Sequence, residues 1–233
     1  MNNEQIVQQF KKNLSIVRQR IADAAQRSGR LPEDVQLVAV SKYVDAAMTE
    51  LLIEAGADVL GENRPQALDE KYQTIKGDNV KWHLIGHLQR NKVKKVLPQA
   101  ALIHSVDSIR LIDAIDKSAA DQGIVAEVLL EVNVSGESAK HGFPPEEIAT
   151  ALDHANSLAA IKVTGLMCMA GLASDSSDVR SEFARLRSLR DQSDGSTHLV
   201  HLSMGMSSDF EIAIEEGATL VRVGSTLFEG VEK

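Results

Sequence analysis

Three groups of residues in this chain have types and spacings that could do chemistry together. The first is Lys42, which follows the apolar run Leu37-Val38-Ala39-Val40 and Ser41. A lysine at a strand end, shielded from bulk water, loses part of its preference for the ammonium form and becomes nucleophilic enough to condense with a carbonyl. The second group is a pair of turns, HLSMGMSSD at 201–209 and LVRVGSTLF at 220–228, where strand-like sequence stops at Gly and Ser and a helical pattern begins. Such turns gather backbone N–H groups and hydroxyls at a helix N-terminus, a place suited to a phosphate. The third is Arg222, two residues before Gly224. A ligand with an aldehyde at one end and a phosphate at the other would join all three. The plainer readings are a surface lysine and a structural arginine paired with a carboxylate such as Glu62.

Elements must bring these residues to one place. Ile6, Phe10, Leu14, Val17 and Ile21 recur at spacings of three and four, which predicts an amphipathic helix over about 3–29 ended by Ser28-Gly29. Beyond Val35, short apolar runs alternate with helical patterns. The expected strands are 36–41, 58–60, 81–85, 101–105, 126–134, 161–166, 198–202 and 220–223. Helices are expected at 46–55, 66–76, 89–97, 108–121, 145–158, 177–192 and 208–216. Asp45 and Asp107 or Ser108 are positioned as N-caps, Pro144-Pro145 opens a helix, and Gly56 and Gly217 close two others. Runs such as LVAV are apolar on both faces, as in parallel strands covered by helices. Eight alternating units predict a single-domain α/β protein over 1–233. Its form is a (β/α)8 TIM barrel with the 1–29 helix packed on it, and an open doubly wound sheet is the second arrangement. Functional residues of such a barrel sit at the C-terminal strand ends, with phosphate sites after strands seven and eight.

The rest of the composition narrows the classes. A net charge of −8 argues against nucleic acid and anionic membrane surfaces as partners. Arg90, Lys92, Lys94 and Lys95 read as a solvated helix face. Cys168 is the one cysteine, which excludes an intramolecular disulfide and suits a reducing, cytoplasmic setting. No run reaches the roughly 20 apolar residues of a membrane span. The seven histidines lack metal-ligand spacing: His83 and His87 straddle a strand end with no third donor, so no metal is expected, and His83, His104 and His201 read as satisfied barrel residues. Met167, Met169, Met204 and Met206 read as packing or as a flexible lining under a planar ring. If the ligand were pyridoxal phosphate (PLP), Arg222 would be the candidate from the late strands for its pyridine nitrogen. A permanently charged arginine donates to an unprotonated nitrogen and leaves the ring a poorer electron sink.

LVAVSK (37–42), GEN (61–63), WHLIGHLQRNK (82–92), HSVDS (104–108), EVNVSGESAKHGF (131–143), GLMCMA (165–170), HLSMGMSSDFEIAIEEGAT (201–219) and VRVGST (221–226) follow one another in this order. In these motifs the chain resembles the PLP homeostasis family, also known as the YggS/PROSC family. The resemblance implies a barrel like the N-terminal domain of alanine racemase (PLP fold type III), with PLP held as a Schiff base on Lys42. It implies a phosphate site made by Met206, Ser207, Gly224, Ser225 and Thr226, with Arg222 at the pyridine nitrogen and Asn63 near the cofactor. The departures are Leu60, where an aromatic is common, and Arg64-Pro65-Gln66-Ala67, where Pro65 suits a first helical turn and alters the lip.

The family reading makes the chain a monomeric PLP carrier that serves vitamin B6 homeostasis and delivers cofactor to PLP-dependent apo-enzymes. The alternative is a weakly active amino-acid racemase. A two-base racemase needs an acid/base group opposite the lysine. Tyr43 follows Lys42 and is expected to point away, Tyr72 lies within a helix, and no second base is evident, so no catalytic residue is assigned. Without the resemblance, a barrel isomerase or aldolase using Lys42 on a sugar phosphate is a third reading.

Overall fold

The computed structural model describes residues 1–75, 80–137, 141–171, 175–193 and 199–231. Parallel strands β1 (Gln36–Val40), β2 (Val59–Glu62), β3 (Lys81–Leu84), β4 (Leu102–Val106), β5 (Ala126–Glu131), β6 (Ile161–Met167), β7 (His201–Ser203) and β8 (Leu220–Val223) pair in chain order. β8 also pairs with β1, placing Val38 beside Arg222, and the barrel is closed. The helices are α1 (Asn3–Arg27), α2 (Ala46–Glu54), α3 (Pro65–Thr74), α4 (Val93–Val96), α5 (Ile109–Asp121), α6 (Ile148–Asn156), α7 (Ser176–Ser193) and α8 (Phe210–Glu215). This is the expected (β/α)8 architecture.

Strand alternation divides the core in two. Val38, Val59, Leu102, Leu129, Met167 and Leu220 form one buried cluster, filling the barrel interior. Their strand neighbours Ala39, Leu60, Ile103, Leu130, Leu166 and Val221 belong to a second cluster with the apolar faces of the helices. Successive side chains point to opposite faces, so both must be apolar when helices cover the outside. The same period continues past the interior cluster toward the C-terminal ends, through Val38 and Val40 on β1, Leu129 and Glu131 on β5, and Leu220 and Arg222 on β8.

α1 forms because Ile6, Phe10, Leu14, Val17 and Ile21 share one buried stripe and Asn2 and Gln5 make a reciprocal capping box. It also steadies the chain after β8. Buried Asn13 donates from Nδ2 to the carbonyls of Leu227 (2.9 Å) and Glu229 (2.8 Å), and Phe10 meets Phe228 edge to face at 5.3 Å. Asp45 caps α2 by accepting from Met48 N, and Pro65 opens α3. Gly56 and Gly217 close their helices at φ of 108° and 97°, values a side chain rarely adopts.

Several boundaries differ from the sequence expectation. β5 stops at Glu131 rather than 134 because the chain folds back: Phe143 N donates to Glu131 O (2.7 Å) and Asn133 N to Phe143 O (3.0 Å). The helix expected at 89–97 is a 3₁₀ turn, Arg90–Lys92, followed by the single turn of α4, with Pro98 blocking continuation. Ser108 sits at the α5 N-cap without a side-chain cap bond; its hydroxyl donates to Asp107 instead. β2 runs two residues further than expected, to Glu62. Lys76 and His198, at the ends of two expected segments, lie outside the described residues.

Gly165 lets β6 and β7 pair closely, since a Cβ there would lie 2.1 Å from the His201 carbonyl oxygen. Gly165→Ala is predicted to cost about 1–3 kcal/mol of stability, the usual effect of overpacking. Urea denaturation of the variant beside wild type measures it.

Candidate functional site

The expected site residues stand at the C-terminal ends of β7, β8, β1 and β2, neighbours in the barrel. β1 ends where Ser41 begins a turn, closed by Val44 N donating to Ser41 O at 3.1 Å. Lys42 lies inside that turn and is exposed, whereas the sequence reading shields it. The chain bends away at Ser41 instead of carrying Lys42 on along the strand. Tyr43 does not point away either: the Lys42 Nζ lies 4.9 Å from the centre of its ring, within cation–π range.

The turn has a rigid foot. Ser41 Oγ donates to Glu62 Oε1 at 2.7 Å, and Lys71, from α3, donates to Ser41 O at 2.8 Å and pairs with the same Glu62 oxygen. Ser41, Glu62 and Lys71 are all buried. Glu62 therefore pairs with Lys71 and not with Arg222, against the plainer reading of that arginine. Asn63 follows Glu62 and is half-buried; its backbone is held against Gly86, where a Cβ would meet the Asn63 carbonyl oxygen at 2.2 Å.

Arg222 is 4% exposed inside the barrel mouth. It donates to Ser203 Oγ at 2.5 Å and to the Cys168 carbonyl at 2.9 Å. Ser203 Oγ lies 2.8 Å from His104 Nδ1, and His104 Nε2 lies 3.0 Å from His83 Nδ1. A guanidinium only donates. The arrangement that lets each link follow from it has Ser203 donating to His104 Nδ1 and His104 donating from Nε2 to His83. Burial keeps both imidazoles neutral, holding His104 well below its ordinary range and His83 down at about 3. Burial also lowers Arg222, against the pull of Cys168, Glu131 and Asp209. His83 and His104 are thus satisfied barrel residues. His201 is half-buried, 3.5 Å from Thr219 Oγ1.

The two Gly-Ser turns meet. Gly224 N donates to Ser207 Oγ at 3.1 Å, tying the loop after β7 to the loop after β8. Gly205 is needed at φ 90°, where a Cβ would sit 2.5 Å from that of Ala213, and Asp209 takes the Met206 N–H at 2.5 Å. Ser225 and Thr226 open a 3₁₀ turn, Ser225–Phe228, whose first N–H groups find no acceptor within it. The β8–β1 pairing sets Gly224 against Val40, two residues before Lys42.

Known proteins share this barrel. Residues 8–231 match the family described as the N-terminal domain of alanine racemase. The pyridoxal phosphate homeostasis protein of Aquifex aeolicus is 44% identical over 217 residues, covering 92% of this chain and 95% of its own. An unknown protein from Bifidobacterium adolescentis superposes with a TM-score of 0.91 at 35% identity, covering 98% of both chains. PipY of Synechococcus elongatus, solved with PLP bound, superposes at 0.78 and 35% identity over 89% of this chain and 99% of its own. The chain belongs to the pyridoxal phosphate homeostasis protein family.

Within this member of the family, the structure adds groups that the sequence reading did not single out. Ser203 and the Cys168 carbonyl hold Arg222, and Asp209 shapes the cradle. Asp209 was legible as an acceptor three residues after Met206; the Cys168 carbonyl left no trace in residue type. His87, Asp107 and His141 come together from three loops, although the sequence showed no third partner for a histidine pair. Glu131, at the end of β5, is 4% exposed. Its alternation with Leu129 was the available signal. Burial pushes its carboxyl up to about 7; Asp107 adds to that, while His141 and Arg222 oppose it.

A carboxyl raised from 4.5 to about 7 on folding holds its proton more tightly in the folded chain. Its stabilising contribution is complete below pH 4.5 and is lost as pH rises through 7. Wild type should therefore lose on the order of 3 kcal/mol relative to Glu131→Gln across that window. Urea midpoints of both proteins from pH 4.5 to 8, in metal-free buffer, measure the difference.

Proposed function

We propose that the barrel mouth holds PLP reversibly on Lys42 and that the chain acts as a carrier in vitamin B6 homeostasis. The observation that carries this reading is the Ser207–Gly224 hydrogen bond, which closes a donor-lined cradle one strand away from Lys42. PLP, when bound, supplies an aldehyde carbon that a lysine amine can capture and release.

The residues present fit that molecule. Ser207 Oγ accepts from Gly224 N, which leaves its own proton to donate to a phosphate oxygen. The N–H groups of Ser225 and Thr226 add donors, and Met206 lines the approach with its N–H turned to Asp209. Asp209 is thereby occupied with backbone, so the cradle is not faced by an unengaged carboxylate. Arg222, held from below by Ser203 and Cys168, would present a fixed donor to the ring nitrogen. A cation at that position leaves the nitrogen unprotonated and works against carbanion formation. Asn63, fixed against Gly86, flanks Lys42 on the β2 side.

Lys42 is in open contact with water, beside an exposed Tyr43. A site that turned over amino acids would close around the reacting atoms. Holding and release, with delivery to PLP-dependent apo-enzymes, suits an open lysine better. The PLP bound in PipY, at 35% identity, supports PLP as the ligand.

Borohydride reduction followed by mass spectrometry should place a pyridoxyl adduct on Lys42 and none on Lys42→Ala. An adduct confined to another lysine would overturn the assignment. Ser207→Ala should weaken PLP binding by about 1.5–3 kcal/mol, the value of a hydrogen bond to a charged group. Fluorescence titration with PLP reads the change. With full cofactor loading, alanine and serine should turn over well below the roughly 1–10³ s⁻¹ common to enzymes.

A further inference from the structure

We propose that His87, Asp107 and His141 form a binding site for one divalent transition-metal ion of the zinc or cobalt type, on the β3–β5 side of the barrel mouth. Three consecutive strand ends supply the donors. His87 follows β3, Asp107 follows β4 directly, and His141 stands on the loop that the Phe143–Glu131 hydrogen bond returns to the end of β5. Their ligand atoms all lie within 4.8 Å of one another, and no other group of three such donors occurs among the described residues.

The distances suit an ion between them. His87 Nδ1 is 3.2 Å and His141 Nδ1 is 3.6 Å from the same oxygen, Asp107 Oδ2. Bonds of about 2.1 Å to a tetrahedral or octahedral ion set neighbouring donors about 3.0–3.4 Å apart. Two imidazoles and one carboxylate match zinc and its neighbours, whereas calcium and magnesium take oxygen donors. Three protein ligands leave at least one coordination position open.

Asp107 is held for this role. Its side chain is only 11% exposed, and its other oxygen, Oδ1, accepts from Ser108 Oγ at 3.1 Å, which aims Oδ2 at the imidazoles. Such outer contacts orient a ligand before the ion arrives. The two rings lie stacked, 4.4 Å between centres and 18° from parallel. Ligation of one ion requires them to rotate out of the stack, and with side chains 44% and 61% exposed neither is blocked from doing so. His87 and Asp107 are within hydrogen-bond distance, as are His154 and Asp113 at 2.6 Å; what sets the first pair apart is the third donor, His141, beside it.

The site involves none of the residues proposed to hold PLP, and its test is arranged to be independent of them. Lys42→Ala protein, stripped with chelator, is titrated with Zn²⁺ by calorimetry and with Co²⁺ by visible absorption. One ion should bind per chain, with cobalt d–d bands typical of mixed nitrogen and oxygen ligands. His87→Ala, His141→Ala and the isosteric Asp107→Asn should each weaken binding by about tenfold or more. His154→Ala, the surface control, should leave it unchanged, and thermal melts monitor folding of every variant. Zinc affinity that persists in the three site variants, or that falls in His154→Ala, would overturn the assignment, as would no binding by the parent protein.

Discussion

A guanidinium sealed inside the barrel is the constraint around which the mouth is organised. Arg222 is 4% exposed, and a charge taken out of water is tolerated only where hydrogen bonds replace the lost hydration. Ser203 and the Cys168 carbonyl provide them, and His104 and His83 extend the chain across to β3. The histidines must stay neutral for this to work. A second cation beside Arg222 would raise the cost, and their burial disfavours the protonated form. Four strands, β3, β4, β7 and β8, are tied through one polar line, with β6 joined by a backbone carbonyl. What that line achieves is orientation: Arg222 is set immediately before the Gly224 turn and beside β1.

The lysine is arranged on the opposite principle. Its side chain is exposed, with Nζ against the Tyr43 ring, and the structure beneath it is fixed by Glu62 and Lys71. That buried ion pair is geometrically economical, with one Glu62 oxygen receiving both Lys71 and Ser41. The other oxygen, Oε2, has no hydrogen-bond partner among the described residues. Replacing such a pair with apolar groups of the same shape is often neutral for stability, while removing one partner is strongly destabilising. Its distinctive contribution is therefore to position. Lys71 reaches from α3 to the Ser41 carbonyl and fixes where the turn carrying Lys42 begins.

Much of this architecture was legible in the residues. The stripe of α1, the apolar runs of the strands, the Asp45 cap and the Gly56 and Gly217 stops each follow from local chemistry, and each appears where that chemistry places it. The Gly-Ser turns were also readable, because Gly205 and Gly224 stand where backbones approach closely. Exposure of Lys42 was not readable. It depends on Ser41 ending the strand, and Ser41 does so because Glu62 and Lys71, 21 and 30 residues away, claim its hydroxyl and carbonyl. The end of β5 was misplaced for the same kind of reason: Val132-Asn133-Val134 is as strand-like as what precedes it, and a return contact from Phe143 stops the ladder. Asp107 and His141 are 34 positions apart in sequence, a separation that no motif spacing connects.

The two halves of the mouth consequently differ in kind. Along β7, β8 and β1 the donors belong to backbone or to groups locked by hydrogen bonds, so an anion placed there meets a surface that needs little rearrangement. The Lys42 amine stands in water. With PLP held as proposed, fixing its phosphate and ring ends while leaving the amine accessible would separate affinity from reactivity: binding strength would reside in contacts that do not change, and exchange would depend on a bond that water can reach. A catalyst gains by excluding water from the same bond. On this argument the exposure of Lys42 belongs with the function, because a carrier must let go of what it binds.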